Sequence, residues 1–274
     1  MTRAAVPAPA VEAVEAVEGA AVAAGTRVVD RGRSLEDTVV VVTGAGGAIG
    51  GAIARLVLDA GGRVVAGDLR ADALTRLRDE WDEDRLVVSI GDVSQESTAD
   101  ALVAAGVEAF GRVDSVVANA AVGFYGGVLD YSADEVSLMV DVNVKGTVWL
   151  ARAAVRQFRA QGDGGDLVII GSVAGLLIGG GKEAVYAATK AAQINLGYAL
   201  DRELRTEGIR TTTIAPAGVN TPFAAADGRF GDRDPSQGDF MEPDDIAQAV
   251  GYTLRQPRRM RTELWTMWSL SETH

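Results

Sequence analysis

An alternation of short apolar runs with longer helix-like segments, beginning at Thr38, is the feature that most constrains the fold of this chain. Residues 38–43 (TVVVVT) form a continuous β-branched run, which is typical of a strand buried on both faces of a sheet. A glycine-rich turn and an apolar helical segment at residues 48–60 follow this run. Further strands are predicted at residues 63–67, 86–90, 115–118, 167–170, 211–215 and 263–267.

The segments between these strands have the composition of helices, and the longest are residues 133–160 and 184–207. Regular alternation of strands and helices requires right-handed crossover connections between parallel strands. It therefore predicts an α/β fold, namely a doubly wound, Rossmann-type parallel sheet of about seven strands with helices on both faces. Because no linker or second apolar unit follows residue 38, we predict a single domain at residues 36–274.

The first 35 residues differ from the rest, because Ala, Val, Glu and Pro dominate them. A secretory signal would need an uninterrupted apolar stretch behind a basic start, and Glu12, Glu15 and Glu18 interrupt this one. No later segment of the sequence is an uncharged apolar run long enough to span a bilayer. We therefore predict a flexible or weakly helical extension at residues 1–35, and a cytoplasmic protein that does not associate with membranes.

The inventory of charged and nucleophilic residues excludes several classes of function. A formal net charge of −12 argues against a nucleic-acid partner, whose phosphates would be repelled. The local exception, Arg255, Arg258, Arg259 and Arg261, is interpreted as a solvated loop before the last strand. The chain has no cysteine, and its single histidine is His274. Thiolate nucleophiles, Ser-His-Asp triads and Cys/His zinc sites are thereby excluded, and no metal site is predicted.

Tyr186 and Lys190 form the most informative pair of polar residues. Four residues apart, they share one face of a predicted helix, so that their side-chain tips can approach each other. A tyrosine titrates near pH ~10 when unperturbed, and a nearby positive charge lowers that pKa. The pair is therefore a credible general acid/base. The spacing alone also fits two surface neighbours, because any long helix offers such pairs.

A doubly wound sheet binds its ligands at the carboxyl ends of the strands, so the residues that follow each strand are the candidate site. The first strand is followed by the run TGAGGAIG at residues 43–50. Glycines let the backbone turn sharply and approach a pyrophosphate, whose charge the following helix N-terminus attracts. Ile49 stands where the G-x-G-x-x-G fingerprint has its third glycine, so a merely structural turn remains an alternative.

Asp68 follows the second strand, 24 residues beyond Gly44. A carboxylate at this place accepts hydrogen bonds from the adenosine ribose hydroxyls and repels a 2′-phosphate. We therefore favour NAD over NADP, although Arg70 lies close enough to keep NADP open. Helix capping is the structural alternative for Asp68.

Polar or small residues also follow the later strands. Taken singly, each is a common cap or turn residue, and their recurrence after successive strands is the informative feature. They are Asp92 and Val93, Asn119 and Ala120, Ser172, and Asn143 in the long helical region.

With these motifs in order, the chain resembles the single-domain short-chain dehydrogenase/reductase family from about Thr38 to the C-terminus. The resemblance is carried by TGAGGAIG, Asp68, Asp92-Val93, ANAA from Ala118, Asn143, Ser172, YAATK from Tyr186 and PAGVNT from Pro216. It implies a Rossmann-type fold, a nicotinamide cofactor and an Asn-Ser-Tyr-Lys catalytic tetrad.

The resemblance implies a role for each member of the tetrad. Tyr186 would donate a proton to a carbonyl during reduction or accept one from an alcohol during oxidation. Lys190 would lower the pKa of Tyr186 and hold the nicotinamide ribose. Ser172 would bind the substrate oxygen where negative charge develops. Asn143 would position a water in a proton relay from Lys190 toward solvent.

The resemblance also implies the cofactor contacts. The pyrophosphate and ribose contacts would be Gly44, Gly47, Ala48, Ile49 and Gly50. The contacts to the adenosine half would be Asp68, Asp92 and Val93. The contacts at or near the nicotinamide would be Asn119, Ala120, Pro216, Val219 and Thr221, together with Tyr186 and Lys190.

Four departures from the family pattern stand in this sequence. Ala48, Ala121 and Ala217 replace glycines, and we expect tolerance unless a positive φ is required. The fourth is one extra residue between Ser172 and Tyr186, which the glycine-rich stretch at residues 178–181 can absorb.

Three segments should border the substrate pocket: residues 122–131, 176–185 and 222–240. Their apolar members include Phe124, Tyr125, Leu176, Leu177, Ile178, Phe223 and Phe230. Such walls suit a ketone or secondary alcohol of partly apolar character, although the same side chains could be core. Residues 222–240 are rich in Gly, Asp and Ala and could form a mobile lid.

The sequence thus predicts a NAD(H)-dependent alcohol dehydrogenase or ketone reductase that acts on a small carbonyl or alcohol substrate. The alternatives are the same chemistry with NADP(H), and a non-catalytic NAD(P)-binding sensor or scaffold. Family resemblance also implies a homodimer or homotetramer. Small residues on the helix at 184–207 form a surface for such assembly or for packing on the sheet: Ala188, Ala191, Ala192, Asn195 and Ala199.

Overall fold

A seven-stranded parallel sheet is the centre of the computed structural model, which describes residues 32–176, 181–225 and 240–272. In chain order the strands are β1 (Val39–Thr43), β2 (Arg63–Asp68), β3 (Leu86–Ile90), β4 (Ser115–Ala118), β5 (Gly165–Ile170), β6 (Ile209–Pro216) and β7 (Leu264–Met267). Their spatial order is β3-β2-β1-β4-β5-β6-β7. The direction of winding reverses between β1 and β4, which opens a crevice at the carboxyl ends of these strands. The predicted doubly wound sheet is confirmed.

Helices cover both faces of the sheet. They are α1 (Ala48–Asp59), α2 (Thr75–Glu80), α3 (Glu96–Phe110), α4 (Ala133–Met139), α5 (Gly146–Gln161), α6 (Ala184–Leu204), α7 (Pro222–Ala225) and α8 (Pro243–Arg255). A π-helical segment, Val140–Lys145, joins α4 to α5 within the stretch predicted as one helix. Short 3₁₀ turns occur at Asp72–Leu74, Val173–Leu176 and Arg205–Glu207. Within the described residues, no helix is long and apolar enough to cross a membrane.

The burial of β1 on both faces explains its unbroken apolar sequence. Val40 and Val42 lie in the core layer that contains residues of α1 and α8. Val39 and Val41 point the other way, into the layer that contains residues of α3 and α5. All four side chains are fully buried. Because each fully buried valine stabilises the fold by about 1.5–3 kcal/mol, this strand fixes the centre of the sheet and the start of the glycine-rich turn.

The chain segment before β1 belongs to the folded domain from at least Gly32. Leu35, which the sequence analysis places in the extension, is 2% exposed and packs in the core. Arg33 donates a hydrogen bond to the buried carboxylate of Asp166 over 3.2 Å. The folded part of the chain therefore includes residues before position 36, while residues 1–31 lie outside the described part.

The arginine-rich loop before β7 is more than a solvated loop. Arg258 donates to Asp166 Oδ1 over 3.3 Å, and burial lowers the pKa of this guanidinium. Arg261 forms an ion pair with Asp201, a carboxylate on α6 whose pKa is raised by burial. The loop is located as expected, but these two arginines bind buried carboxylates, which their spacing in the sequence could not reveal.

The small-residue stripe on α6 faces away from the sheet. Ala188, Asn195 and Ala199 are exposed, whereas Gly197 lies on the opposite face of the helix. A Cβ atom at Gly197 would lie 2.2 Å from Thr213 Oγ1 on β6, so glycine is needed where α6 meets the sheet. Three of the five stripe residues therefore do not pack on the sheet, while Ala191 and Ala192 are half-buried.

Candidate active site

The glycine-rich turn between β1 and α1 forms a cradle at the carboxyl end of the sheet. Gly44 has a φ of +65°, a conformation that L side chains rarely adopt. A Cβ atom at Gly50 would lie 2.1 Å from Gly44 O, so α1 can begin here only with glycine at position 50. Gly47 precedes the first turn of α1, and no side chain caps it. The helix N-terminus therefore opens onto the cavity as an attractive end for an anion.

Thr43 and Asn119 fasten this cradle to the loop after β4. The Thr43 hydroxyl accepts hydrogen bonds from the backbone N–H groups of Asn119 and Ala120, over 3.1 and 3.2 Å. In return, Asn119 Nδ2 donates to the carbonyls of Thr43 and Gly44, over 2.9 and 3.2 Å. Asn119 thus shapes the cradle as well as lining it. The importance of Thr43 was missed; its only signal in the sequence is a hydroxyl directly before the first glycine.

Asp68, at the end of β2, closes the far side of the cradle. Its Oδ2 atom accepts from the backbone N–H of Gly46 over 3.1 Å, and Oδ1 accepts from that of Arg70 over 3.1 Å. A carboxylate offers about four lone-pair sites, so two backbone bonds leave capacity for a sugar diol. Asp68 does not cap a helix, because Ala71 precedes the following 3₁₀ turn. A Cβ atom at Gly46 would lie 3.0 Å from Asp68 Oδ2, which makes this glycine, not singled out before, part of the site.

Tyr186 and Lys190 lie on the buried face of α6 and not on the surface. Their exposed fractions are 4% and 2%. Lys190 Nζ lies 5.6 Å from the centre of the Tyr186 ring and donates to Ile170 O, at the end of β5, over 3.0 Å. Both side chains line one cavity. The interpretation as mere surface neighbours is therefore wrong.

Ser172 reaches the same cavity from the end of β5. It is 4% exposed, and its hydroxyl accepts from Ala174 N over 3.2 Å in the 3₁₀ turn that follows. This contact holds the hydroxyl at the start of the turn. Ser172, Tyr186 and Lys190 thus converge on one volume although 18 residues separate the first from the last.

The side chain of Asn143 connects two other segments of the chain. It is fully buried in the π-helical segment, and it is absent from the described residues that line the cavity. Its side chain accepts from Val122 N over 2.9 Å, donates to Val122 O over 2.8 Å and donates to Thr189 Oγ1 over 3.0 Å. Thr189 in turn donates to Tyr186 O over 2.7 Å. Asn143 therefore clamps the loop after β4 to the helix that carries Tyr186.

Both side-chain N–H donors of Asn143 are bound within the protein. Its backbone carbonyl accepts from Thr147 Oγ1 over 2.7 Å. Thr189 and Thr147 were not anticipated as part of this network. Their partners are side chains and carbonyls on other segments, which the sequence does not bring together.

The cavity has a volume of about 510 Å³ and runs from the cradle to Tyr186. Every predicted site residue except Asn143 lines it. Those at the cradle end are Gly44, Gly47, Ala48, Ile49, Gly50, Asp68, Asp92 and Val93, and those toward Tyr186 are Asn119, Ala120, Ser172, Tyr186, Lys190, Pro216, Val219 and Thr221. Lining residues that the sequence did not indicate are Gly46, Leu69, Gly91, Val142, Ile170 and Gly171.

Three aromatic rings, including that of Tyr186, meet in this part of the structure. The ring centre of Tyr186 is 5.7 Å from that of Tyr125 and 6.0 Å from that of Phe223, and the latter two are 6.4 Å apart. Phe223 lines the cavity, whereas Phe124 and Tyr125 pack around Tyr186. Leu177, Ile178 and Phe230, predicted to border the pocket, lie outside the described residues.

The loop after β4 is also tied to the start of α6. Gly126 N and the Tyr131 hydroxyl both donate to Lys182 O, over 2.7 and 3.2 Å. Burial raises the pKa of the Tyr131 phenol. The backbone of Lys182 has a φ of +55°, a strained value for a side-chain-bearing residue.

The alanines that replace family glycines sit in ordinary backbone conformations. Among the described residues, positive φ values at non-glycine positions occur at Asp37 and Lys182. Ala48, Ala121 and Ala217 therefore need no left-handed backbone, and all three line the cavity. The expected tolerance of these replacements agrees with their geometry.

Comparisons with known proteins agree with this arrangement. The family described as short chain dehydrogenase matches residues 38–230. An uncharacterised oxidoreductase of Staphylococcus aureus (strain USA300) is 35% identical over 226 residues, covering 82% of this chain and 94% of that protein. An uncharacterised oxidoreductase of Staphylococcus haemolyticus is 34% identical over 223 residues, covering 81% and 93%.

Solved structures with similar folds contain nicotinamide cofactors. The closed form of serine dehydrogenase complexed with NADP⁺ has a TM-score of 0.79 at 26% identity, covering 86% of this chain and 97% of that one. The 3-ketoacyl-(acyl-carrier-protein) reductase from Brucella melitensis complexed with NADH has a TM-score of 0.77 at 30% identity, covering 85% and 97%. Together with the sequence match over most of the chain, these likenesses show that the protein is an oxidoreductase of the short chain dehydrogenase family.

Proposed function

We propose that this protein is a NAD(H)-dependent alcohol dehydrogenase or ketone reductase for a neutral substrate of partly apolar character. The observation that carries the proposal is the convergence of Tyr186, Lys190 and Ser172 on the cavity that the glycine cradle opens into. The cradle would hold a dinucleotide: the N-terminus of α1 would attract the pyrophosphate, and Asp68, which keeps acceptor sites, would bind a ribose diol. When bound, the nicotinamide supplies or accepts the hydride.

The side chains of Tyr186, Ser172 and Lys190 transfer the proton and stabilise the charge on the substrate oxygen. In reduction, the Tyr186 hydroxyl gives its proton to the carbonyl oxygen as negative charge develops there. The Ser172 hydroxyl donates a hydrogen bond to the same oxygen. The Lys190 ammonium, 5.6 Å from the Tyr186 ring centre, favours the phenolate that remains. Oxidation of an alcohol uses the same groups in reverse.

Orientation is the other contribution of the protein. The contact between Lys190 and Ile170 O holds the ammonium over the end of β5, and the Asn143–Thr189 contact fixes the turn of α6 that carries Tyr186. When reacting groups are held in place, a bimolecular step becomes effectively unimolecular, which lowers the entropic part of the barrier. Lys190, Asn143 and Thr189 are all buried.

The preference for NAD rests on Asp68. Its carboxylate lies against the cradle through Gly46, where a 2′-phosphate would meet like charge. Arg70 also lines the cavity but is exposed, so its attraction for a phosphate is screened by water. The similar solved structures include complexes with NADP⁺ and with NADH, and therefore favour neither cofactor.

The neutral character of the substrate rests on where the charges lie. Among the described lining residues, the charged side chains are Asp68, Arg70, Asp92 and Lys190. The first three belong to the cradle end. Lys190 is held by Ile170 O and is assigned to the proton chemistry. Val122, Pro222 and Phe223 provide apolar walls near Tyr186.

The test is a NADH-consumption screen of the full chain against diverse ketones and aldehydes, with an alcohol screen driven by NAD alongside. Tyr186→Phe should abolish turnover while NADH binding, measured by fluorescence titration, persists. Tyr198→Phe is the matched control on the same helix, because Tyr198 lies outside the cavity.

Two results would contradict the proposal. Near-normal turnover by Tyr186→Phe would remove Tyr186 from the proton transfer. NADH binding by the unaltered protein without turnover across the panel would favour the non-catalytic sensor.

A further inference from the structure

We propose that Phe223 is the specificity-determining residue that limits the size of the carbonyl substrate, so that the protein accepts compact ketones. The inference rests on the proposed ketone reductase function and concerns the substrate end of the same cavity. It is carried by the three-ring cluster of Tyr125, Tyr186 and Phe223 and by the anchoring of its members.

The ring of Phe223 stands directly beside the group assigned to proton transfer. Its centre is 6.0 Å from that of Tyr186, with the two planes inclined at 46°. Tyr125 closes the triangle with an edge contact to Phe223 at 77°. Only Phe223 and Tyr186 of the three line the cavity. A substrate whose carbonyl approaches Tyr186 therefore meets the Phe223 ring as a wall.

Gly123 shows how tightly this wall is packed. A Cβ atom at Gly123 would lie 2.9 Å from Phe223 Cζ, 2.9 Å from Tyr125 Oη and 3.1 Å from Tyr186 Cδ2. All three rings therefore converge on the backbone of one residue. Because real Cβ atoms essentially never come within 3.0 Å of other heavy atoms, the space that a side chain would need at Gly123 is already filled.

Backbone contacts hold Phe223 in this position from its own side of the cavity. The Thr221 hydroxyl accepts from Ala224 N over 3.1 Å, and Met241 binds the strand-like segment around Val219. Phe223 is thus fixed two residues beyond Thr221, which lines the cavity at the predicted nicotinamide end. On the opposite side, the Asn143 clamp on Val122 holds the loop that carries Tyr125.

The position of this wall makes it a size limit. Phe223 lines the same cavity as Ser172 and Tyr186, so a ketone whose oxygen reaches those two hydroxyls brings its substituents toward the Phe223 ring. With the Phe223 ring in place, the substrate end therefore suits a compact ketone, such as a single aliphatic ring or a short branched chain. A substituent as large as a phenyl group has to displace the ring of Phe223.

The experiment compares two ketones that differ by one phenyl group. The best neutral ketone from the screen is paired with its phenyl-substituted analogue, for example cyclohexanone with 4-phenylcyclohexanone, and kcat/KM is measured for both with NADH. The unaltered protein should prefer the compact ketone by about tenfold or more, as expected when a pocket lacks room for several carbons. Phe223→Ala should shift the ratio at least tenfold toward the phenyl ketone, and Phe223→Leu should shift it less.

Phe110→Ala is the matched control. Phe110 is also a half-buried phenylalanine, but it lies at the end of α3 beneath Arg63 and outside the cavity. Its removal should leave the ratio unchanged. Thermal unfolding and NADH titration establish that each variant is folded. If Phe223→Ala does not fold, the comparison is made with Phe223→Leu alone.

The outcomes separate the two proposals. A protein that reduces ketones but shows the same ratio in both Phe223 variants overturns the assignment of Phe223 and leaves the reductase function standing. An unaltered protein that prefers the phenyl ketone also overturns it. Binding of NADH without reduction of any carbonyl overturns the reductase function itself, and with it the substrate limit.

Discussion

Removal of the Asn143 side chain tests whether that side chain acts as a clamp. In Asn143→Ala, the N–H and the C=O of Val122 both lose their partner, and Thr189 loses a donor. An unsatisfied buried polar group costs about 1–3 kcal/mol. Because Val122 is half-buried, water satisfies part of this demand. We therefore expect the free energy of unfolding to fall by about 2–4 kcal/mol. This is the lower part of the range that two unsatisfied groups, the N–H and the C=O of Val122, would give together.

The loss is large enough to be measured by thermal unfolding. In a domain of 150–250 residues, 1 kcal/mol shifts the melting temperature by about 2–4 °C, so Asn143→Ala should melt about 4–16 °C lower. Asn195→Ala is the matched control: Asn195 is exposed on α6, and its amide donates to Ala191 O over 3.1 Å. That change should cost less than about 0.5 kcal/mol.

The two roles predict different patterns. If Asn143 is a clamp, the variant loses stability and turnover together, because the Thr189 contact to the Tyr186 backbone is loosened as well. If its side chain served only to hold a relay water, turnover would fall at an unchanged melting temperature. An unchanged melting temperature in Asn143→Ala would therefore refute the reasoning.

Two further substitutions test the cofactor half of the cavity. Asp68→Asn keeps an acceptor for the cradle but removes the negative charge, so the ratio of kcat/KM with NADPH to kcat/KM with NADH should rise at least tenfold. This rise corresponds to ~1.4 kcal/mol, well below the ~4 kcal/mol between unit charges 4 Å apart at an effective dielectric of 20. Asp72→Asn changes an exposed neighbour and should leave the ratio unchanged. Equal NADPH-to-NADH ratios in Asp68→Asn and the unaltered protein would contradict the role of Asp68 in cofactor preference. Gly50→Ala places a methyl group 2.1 Å from Gly44 O and should abolish NADH binding in a titration, whereas in Gly51→Ala the nearest atom is 3.3 Å away and binding should persist. Normal NADH affinity in Gly50→Ala would show that the cradle tolerates the displacement.

The sequence predicted the sheet because its signal is local. The unbroken β-branched run at β1 and the glycines after it depend on burial and backbone freedom at those positions alone. The location of the cavity followed, since parallel strands bring their carboxyl ends to one edge. All the predicted site residues but one accordingly line a single volume.

What the sequence could not predict depends on contacts between distant segments. Asn143 binds Val122 and Thr189, 21 and 46 residues away, and no local pattern indicates that its amide is already used. The π-helical segment around it breaks a stretch that reads as one continuous helix. The contact of Phe223 with Tyr186 likewise joins α7 to α6, and only the packed structure brings these rings together.

The two ends of the cavity are built by different parts of the chain, and this division has a practical consequence. The cradle comes from β1, β2 and the start of α1, braced by Asn119, whereas Tyr125 comes from the loop after β4 and Phe223 from α7. Positions 125 and 223 can therefore be randomised together in a library, with Gly123 kept, while the dinucleotide half stays untouched. The fold offers a modular starting point for engineered biocatalysts, in which a new substrate range need not sacrifice coenzyme affinity.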